Sequence, residues 1–273
     1  MQKTILITGS TDGIGLETAK TLAALGHRVL LHGRNPAKLD AAAGAVGDVP
    51  EAGPLGKYVA DLSRIEDVEA LAETVAKAVA KDSGGLDVLI NNAGVYNAAD
   101  PMTKDGLDVR FVVNTIAPYL LTQRLLPLLG TSGRVVNLSS AAQASVDLRA
   151  LAGDVNLADG TAYAQSKLAI TMWSRHLAQA LGDSGPVILA VNPGSLLATK
   201  MVKQAFGVAG GDVRRGAEVL RSASLDDAFA AASGKYFDND SGRFANPHPD
   251  ALDPSKCEGV VLAIEAILKR LRK

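Results

Sequence analysis

The sequence predicts an α/β fold: a doubly wound parallel sheet in three α/β/α layers, built as a single domain over residues 1–273. Three observations predict it. Short apolar runs alternate with longer amphipathic stretches, the order expected of repeated strand–helix–strand units. The apolar runs are continuous rather than alternating, as in strands buried on both faces. No Pro-, Gly- or Ser-rich linker divides the chain, and no repeat of about 20–50 residues is present. Apolar residues make up 47% of the chain and charged residues 21%, enough to bury a full core without disulfides or metals.

The elements follow in order. The first strand, 4–8, runs into TGSTDGIG (8–15) and directly into a helix at 14–25. Gly9, Gly13 and Gly15 let the backbone turn tightly and approach a pyrophosphate, and the helix N-terminus offers free N–H groups to it. Glycines between a first strand and a first helix mark a Rossmann-type dinucleotide site, whereas the glycines alone would be weak support. The second strand, 28–32, leads through HGRNPAKL to a helix at 36–46, with Pro36 at its start. A third strand, 57–60, and a helix, 65–81, precede a fourth strand, 88–91. An amphipathic helix is expected over 104–129, a fifth strand over 134–138, a helix over 161–181 and a sixth strand over 187–192. Residues 195–253 are the least regular and are expected to form a mobile substrate lid. A last strand at 235–237 and a last helix at 254–271 complete the reading.

The end of the second strand decides which dinucleotide is expected. An acid there would hold a ribose 2′-hydroxyl. None is present; Arg34 is, and a guanidinium can stack on adenine and grip a 2′-phosphate. A charge-assisted hydrogen bond of about 1.5–3 kcal/mol converts to roughly a 10–100-fold preference for NADP over NAD. Asp12, in the glycine loop, works slightly against that preference.

These residues, taken with the rest of the chain, resemble the short-chain dehydrogenase/reductase family. TGxxxGxG at 8–15, Asp61-Leu62 after the third strand, Asn91-Asn92-Ala93-Gly94 after the fourth, Asn114 in FVVNTIAP, Ser140 in VVNLSSAAQ, Tyr163 and Lys167 in YxxxK, and Asn192-Pro193-Gly194 with Thr199 all match in order over residues 3–200. The resemblance implies a cofactor site of Gly9, Ser10, Gly13, Ile14, Gly15, Arg34, Asp61, Leu62, Asn92, Ala93, Gly94, Tyr163, Lys167, Pro193, Gly194 and Thr199. It implies a catalytic set of Asn114, Ser140, Tyr163 and Lys167.

The chemistry suits these residue types. Tyr163 and Lys167 are four apart on one helix face. An ammonium about 5 Å away contributes roughly 3 kcal/mol at an effective dielectric of about 20, which would lower the phenol pKa by about two units. By resemblance Tyr163 is the general acid/base, Ser140 holds the substrate carbonyl oxygen, Lys167 also reaches the nicotinamide ribose, and Asn114 holds a proton-relay water. Ser139 is read as structural. Val95, Tyr96, Gln143, Leu196, Met201 and Phe206 are candidate pocket residues, which suggests a largely apolar ketone, aldehyde or alcohol.

The family pattern is not met everywhere. Twenty-two residues, 141–162, separate Ser140 from Tyr163. A gap of that length is similar to the retinol-dehydrogenase-like branch, as is GKYFDN at 234–239. The insertion is equally compatible with a pocket roof and with surface decoration. PGSLLAT has one residue more than expected before Thr199, which puts the nicotinamide contact of Thr199 in question.

Other function classes are disfavoured. A formal net charge of −1, from 28 basic and 29 acidic residues, supplies no field for nucleic acid or anionic lipid. One cysteine, Cys257, permits no Cys-pair zinc site, and the four histidines show no ligand spacing, so no metal is expected. Without a signal-peptide core or a long apolar span, a cytoplasmic protein with no membrane partner is expected. The resemblance implies a homodimer or homotetramer. The leading reading is an NADP-dependent enzyme that interconverts a carbonyl and an alcohol. The alternatives are a catalytically idle NADP-binding redox sensor or scaffold, and a sugar-nucleotide epimerase or dehydratase on the same fold. All four candidate catalytic residues are present, which disfavours the idle protein; the glycine spacing disfavours the epimerase.

Overall fold

The computed structural model describes residues 1–81, 85–207 and 209–272, with the backbone alone for residues 204–206. Its strands are β1 (Thr4–Ile7), β2 (Arg28–Gly33), β3 (Leu55–Val59), β4 (Val88–Asn91), β5 (Arg134–Leu138), β6 (Val187–Asn192), β7 (Tyr236–Asp238) and β8 (Arg243–Ala245). They form one sheet in the order β3-β2-β1-β4-β5-β6-β7-β8. All neighbours are parallel except β8, which turns back antiparallel on β7. This is the expected doubly wound sheet, and its order reverses direction between β1 and β4.

The helices are α1 (Gly13–Ala24), α2 (Pro36–Gly47), α3 (Ile65–Lys81), α4 (Val109–Phe111), α5 (Ala117–Leu125), α6 (Leu148–Leu151), α7 (Asp159–Leu181), α8 (Lys200–Phe206), α9 (Arg214–Leu225) and α10 (Pro254–Leu271). Strand side chains alternate between two cores. Leu6, Leu30, Leu89, Val135 and Ile188 share one with residues of α3, α5, α7 and α10. Ile5, Ile7, Val29, Leu31, Ile90, Val136 and Leu189 share the other with residues of α1, α2 and α9. Burial on both faces is the physical reason these strands read as unbroken apolar runs.

Two segments differ from the sequence expectation, and the structure places a third that the sequence left open. The helix expected over 104–129 begins only at Val109, because Gly106 takes a positive φ of 72° in a turn and Asp108 caps the new start by accepting from Arg110 N at 2.8 Å. It then widens into a π-helical turn over Val112–Ile116, closed by Ala117 N donating to Val112 O. Pro118 follows; it has no N–H to continue the α pattern, and such turns recur at functional sites. Asn114 sits inside that turn.

The 195–253 range is more regular than expected. It holds α8, α9, β7 and β8, and Val219, Leu220 and Ala223 of α9 belong to a core. The 141–162 insertion packs on the protein at α6, where Ala150 and Leu151 are buried and Arg270 of α10 donates to Ala152 O at 3.2 Å, and it comes up to the cleft at its end, where a Cβ on Gly160 would lie 3.2 Å from the Tyr96 hydroxyl.

Candidate active site

The loops that leave the C-terminal ends of β1 to β6 surround a cleft of about 760 Å³. Its floor is the glycine loop. Gly9 has φ 65°, and a Cβ there would lie 2.8 Å from Ala93 Cα. A Cβ on Gly15 would lie 2.4 Å from both Asn92 Nδ2 and Gly9 O. The glycines are therefore required first by the protein's own packing of the β1 loop against the β4 loop. Asn92 stitches the two by donating to Thr8 O at 2.8 Å and Gly9 O at 3.0 Å, while Ala93 N donates to Thr8 Oγ1 at 3.1 Å. Asp12 caps α1 by accepting from Gly13 N at 2.8 Å, and Ile14 and Thr11 line the cleft beside it.

Ser10 does not reach the cleft. Its N–H donates to His32 O at 2.9 Å, its hydroxyl donates to the same oxygen at 3.2 Å, and that hydroxyl accepts from His32 N at 2.9 Å. The cofactor site expected from the sequence includes Ser10, whose polar groups are thus spent on His32, a residue that the sequence reading does not single out. His32 is buried at the end of β2. Its Nδ1 accepts from Gly9 N at 3.1 Å and its Nε2 donates to Ala60 O at 3.1 Å. A backbone amide can only donate, so the neutral Nε2–H tautomer follows. Burial pulls its pKa down to about 4. A histidine interrupting an apolar strand was the available signal.

Arg34 is exposed on the cleft wall with Asn35 and Lys38, and among the described residues it makes no hydrogen bond or ion pair. Asp61 and Leu62 line the same end; Asp61 Oδ1 accepts from Ser63 N at 3.0 Å and Ser63 Oγ at 2.8 Å, so this carboxylate shapes its own turn.

At the other end, Tyr163 and Lys167 of α7 face the cleft beside Gly94 and Ser139. Lys167 Nζ donates to Leu138 O at 2.8 Å and lies 5.7 Å from the Tyr163 ring centre. Burial lowers the Lys167 pKa to about 8. The Tyr163 phenol is pushed up by burial, helped by nearby Tyr96, while a hydrogen bond with Ser140 works against the rise. The lowering expected from Lys167 is thus not what this structure has: burial sets the direction, and Ser140 rather than Lys167 works against it. Ser139 is structural, its hydroxyl donating to Lys167 O at 2.9 Å and meeting Thr171 Oγ1 at 2.7 Å. The backbone O of Ser140 accepts from Gln143 Nε2 at 2.9 Å and Tyr236 OH at 3.1 Å, which holds Ser140 in place.

Asn114 is fully buried. Its Oδ1 accepts from Val95 N at 2.8 Å, and its Nδ2 donates to Val95 O at 2.9 Å and Ser166 Oγ at 2.9 Å. Both donors are spent on holding the β4 loop to α7, an arrangement the relay expectation did not include. Pro193 and Thr199 line the cleft; Gly194, with φ 119°, does not, and faces Leu197 and Asn239 instead. Leu196 takes a positive φ of 49°, which absorbs the additional residue before Thr199. Thr199 Oγ1 caps α8 by accepting from Val202 N at 3.2 Å, and its methyl would lie 3.5 Å from a Cβ on Gly13.

Of the expected pocket residues, Val95, Tyr96 and Met201 line the cleft. Gln143 does not, because its Oε1 accepts from His248 N at 2.9 Å. Leu196 also lies off it and is exposed. The Phe206 side chain lies outside the described residues. Ala98, Ala99, Met102 and Thr103 supply a wall that sequence reasoning did not single out. Arg110, 1% exposed in its side chain, was also missed; its Nε and Nη2 donate to Asp108 at 2.8 and 2.6 Å, and its Nη1 pairs with Asp159 at the start of α7.

With this geometry in place, comparison with known proteins is decisive. Residues 3–207 match the family model described as short chain dehydrogenase. The chain belongs to the short-chain dehydrogenase family. Retinol dehydrogenase 12 of Bos taurus is 33% identical over 259 residues, covering 90% of this chain and 80% of that one. Retinol dehydrogenase 13 of Homo sapiens is 30% identical over 277 residues, covering 92% and 80%. These relatives set the chain in the retinol-dehydrogenase-like branch, and it is an oxidoreductase of that family.

Among solved structures, an uncharacterized protein from Mycobacterium paratuberculosis superposes with a TM-score of 0.80 at 27% identity, covering 98% of this chain and 94% of that one. The angucycline C-6 ketoreductase LanV with bound NADP has a TM-score of 0.71 at 27% identity, covering 87% and 93%. The residues present fit a nicotinamide dinucleotide: Gly9, Gly13 and Gly15 line the cleft without side chains, the N-terminus of α1 opens on it, and Arg34 is an uncommitted cation at the second-strand end. Among the described residues no group of His, Cys, Asp or Glu could hold a metal, and no helix is long and apolar enough to cross a membrane.

Proposed function

We propose that this short-chain dehydrogenase interconverts a largely apolar aldehyde or ketone and its alcohol with NADP, using Tyr163 as the proton donor and acceptor. One observation carries the reading: Tyr163 and Lys167 stand on the wall of the same cleft as the glycine loop and the unpaired Arg34. When bound, the nicotinamide supplies or accepts the hydride. The protein's own residues do the rest. The raised Tyr163 pKa keeps the phenol protonated at neutral pH, the form that donates to a developing alkoxide. Ser140, hydrogen-bonded to that phenol, would share the substrate oxygen and orient it. Lys167 would hold the ribose and favour the phenolate after proton transfer.

Arg34 is assigned the 2′-phosphate. Its exposure and lack of a protein partner support this, as do the NADP-bound neighbours. Val95, Tyr96, Ala98, Met102 and Met201 make the substrate end apolar. The named relatives are retinol dehydrogenases, which favours a lipid-like alcohol or aldehyde as the partner molecule.

The test is turnover of a panel of apolar aldehydes, ketones and alcohols with NADPH or NADP, alongside binding of NADPH and NADH. Tyr163→Phe is expected to lose at least about 100-fold in kcat while binding NADPH within about threefold of the parent. Near-normal turnover by that variant would overturn the acid/base assignment. Equal affinity for NADPH and NADH would overturn the cofactor assignment.

A further inference from the structure

The cofactor end of the cleft carries a charge that works against its proposed ligand. Asp12 lines it together with Arg34 and Lys38. A carboxylate in the glycine loop repels a phosphate dianion, and Asp12 cannot shed its charge at neutral pH. Burial pushes its pKa up, but the Lys200 ammonium, the Gly13 N–H and the nearby Lys38 more than reverse this, so it stays ionised. Lys200 comes from a distant part of the chain, the first residue of α8, and its Nζ pairs with Asp12 Oδ2. Packing of Thr199 toward Gly13 brings α8 to the glycine loop and so delivers this cation. The two side chains are 70% and 51% exposed, so the pair contributes little to stability and can be removed without unfolding the protein.

We infer that Lys200 is a specificity-determining residue for the dinucleotide: by cancelling the Asp12 charge it leaves the field of Arg34 and Lys38 positive where a 2′-phosphate binds. The inference rests on the proposed assignment of Arg34. It also separates two jobs within the cleft. Arg34 would touch the phosphate; Lys200 would act through Asp12, as a positioning charge.

Affinity measurements test it on the full chain. NADPH and NADH are titrated by calorimetry into the parent protein, Lys200→Gln, Asp12→Asn, the double variant and Arg34→Gln. Lys200→Gln is expected to lower the NADPH-over-NADH preference about three- to tenfold at low salt, and less at high salt. Asp12→Asn, which keeps an oxygen to cap α1, is expected to raise it. The double variant is expected to return to within about twofold of the parent, because the two charges cancel. An unchanged preference in Lys200→Gln overturns the inference. A double variant that stays as low as Lys200→Gln also overturns it, since Lys200 would then bind the phosphate itself. Arg34→Gln separates the two levels. If it leaves the preference intact, the cofactor assignment fails; if it removes the preference while Lys200→Gln does not change it, only the role of Lys200 fails.

Discussion

His32 is expected to make the stability of this protein fall on mild acidification. The imidazole is 3% exposed, accepts from Gly9 N at 3.1 Å and donates to Ala60 O at 3.1 Å, and its pKa is drawn down from 6.5 to about 4. Between those two values the unfolded chain binds a proton that the folded chain refuses. Stability is therefore intact above pH 6.5 and declines as the pH falls toward 4. At about 1.4 kcal/mol per pKa unit, the full loss comes to roughly 3 kcal/mol, of which about 2 kcal/mol falls between about pH 7.5 and pH 5.

The assay is urea unfolding at that pair of pH values, for the parent and for His32→Gln, which has an amide donor and acceptor but does not titrate. The parent should lose about 2 kcal/mol more than the variant over this range. The subtraction removes the other titrating groups, His27 among them, because both proteins share them. Equal losses would refute the assignment of a buried neutral imidazole. Because the folded protein keeps the ring neutral until about pH 4, its hold on Gly9 N–H persists, and NADPH affinity should change no more over this range in the parent than in the variant.

Two further predictions concern α4 and α7. Asp108→Asn removes the carboxylate that takes two hydrogen bonds from the buried Arg110 guanidinium and a third from its N–H, and should cost about 3 kcal/mol of unfolding free energy, whereas Glu73→Gln in the exposed Lys77 pair should leave stability nearly unchanged; similar small losses in both would refute a buried ion cluster. The Lys167 pKa of about 8 means its ammonium is lost as the pH rises through that value, so kcat/KM for reduction should fall above pH 8. A profile flat to about pH 10 would remove Lys167 from the protonation chemistry.

The strand pattern and the order of the motifs were local information. Continuous apolar runs report strands buried on both faces, and their alternation with amphipathic segments reports crossovers. That is enough to foretell the sheet and the glycine loop between its first strand and first helix, whereas Tyr163 and Lys167 are named only through the resemblance to a family. The helix over 65–81 was legible to the residue because its apolar stripe and its end are set by neighbours along the chain.

What the sequence could not decide was direction and partnership. Ser10 and Thr11 are adjacent small hydroxyl residues in one loop; only the packing of β1 on β2 turns Ser10 to His32 and leaves Thr11 in the cleft. Gln143 was read as a pocket residue, and its amide is spent on Ser140 and His248, the latter 105 residues away. Lys167 was expected to lower the Tyr163 pKa by proximity along the helix. The sign is set instead by how deeply the fold buries both groups, because desolvation depends on everything that surrounds a side chain. The Asp12–Lys200 pair joins residues from opposite ends of the cleft-forming region and has no trace in local pattern. Local periodicity determines which elements form. Burial, hydrogen-bond partners and net charge at a point in space are sums over distant residues, and only the folded chain fixes them.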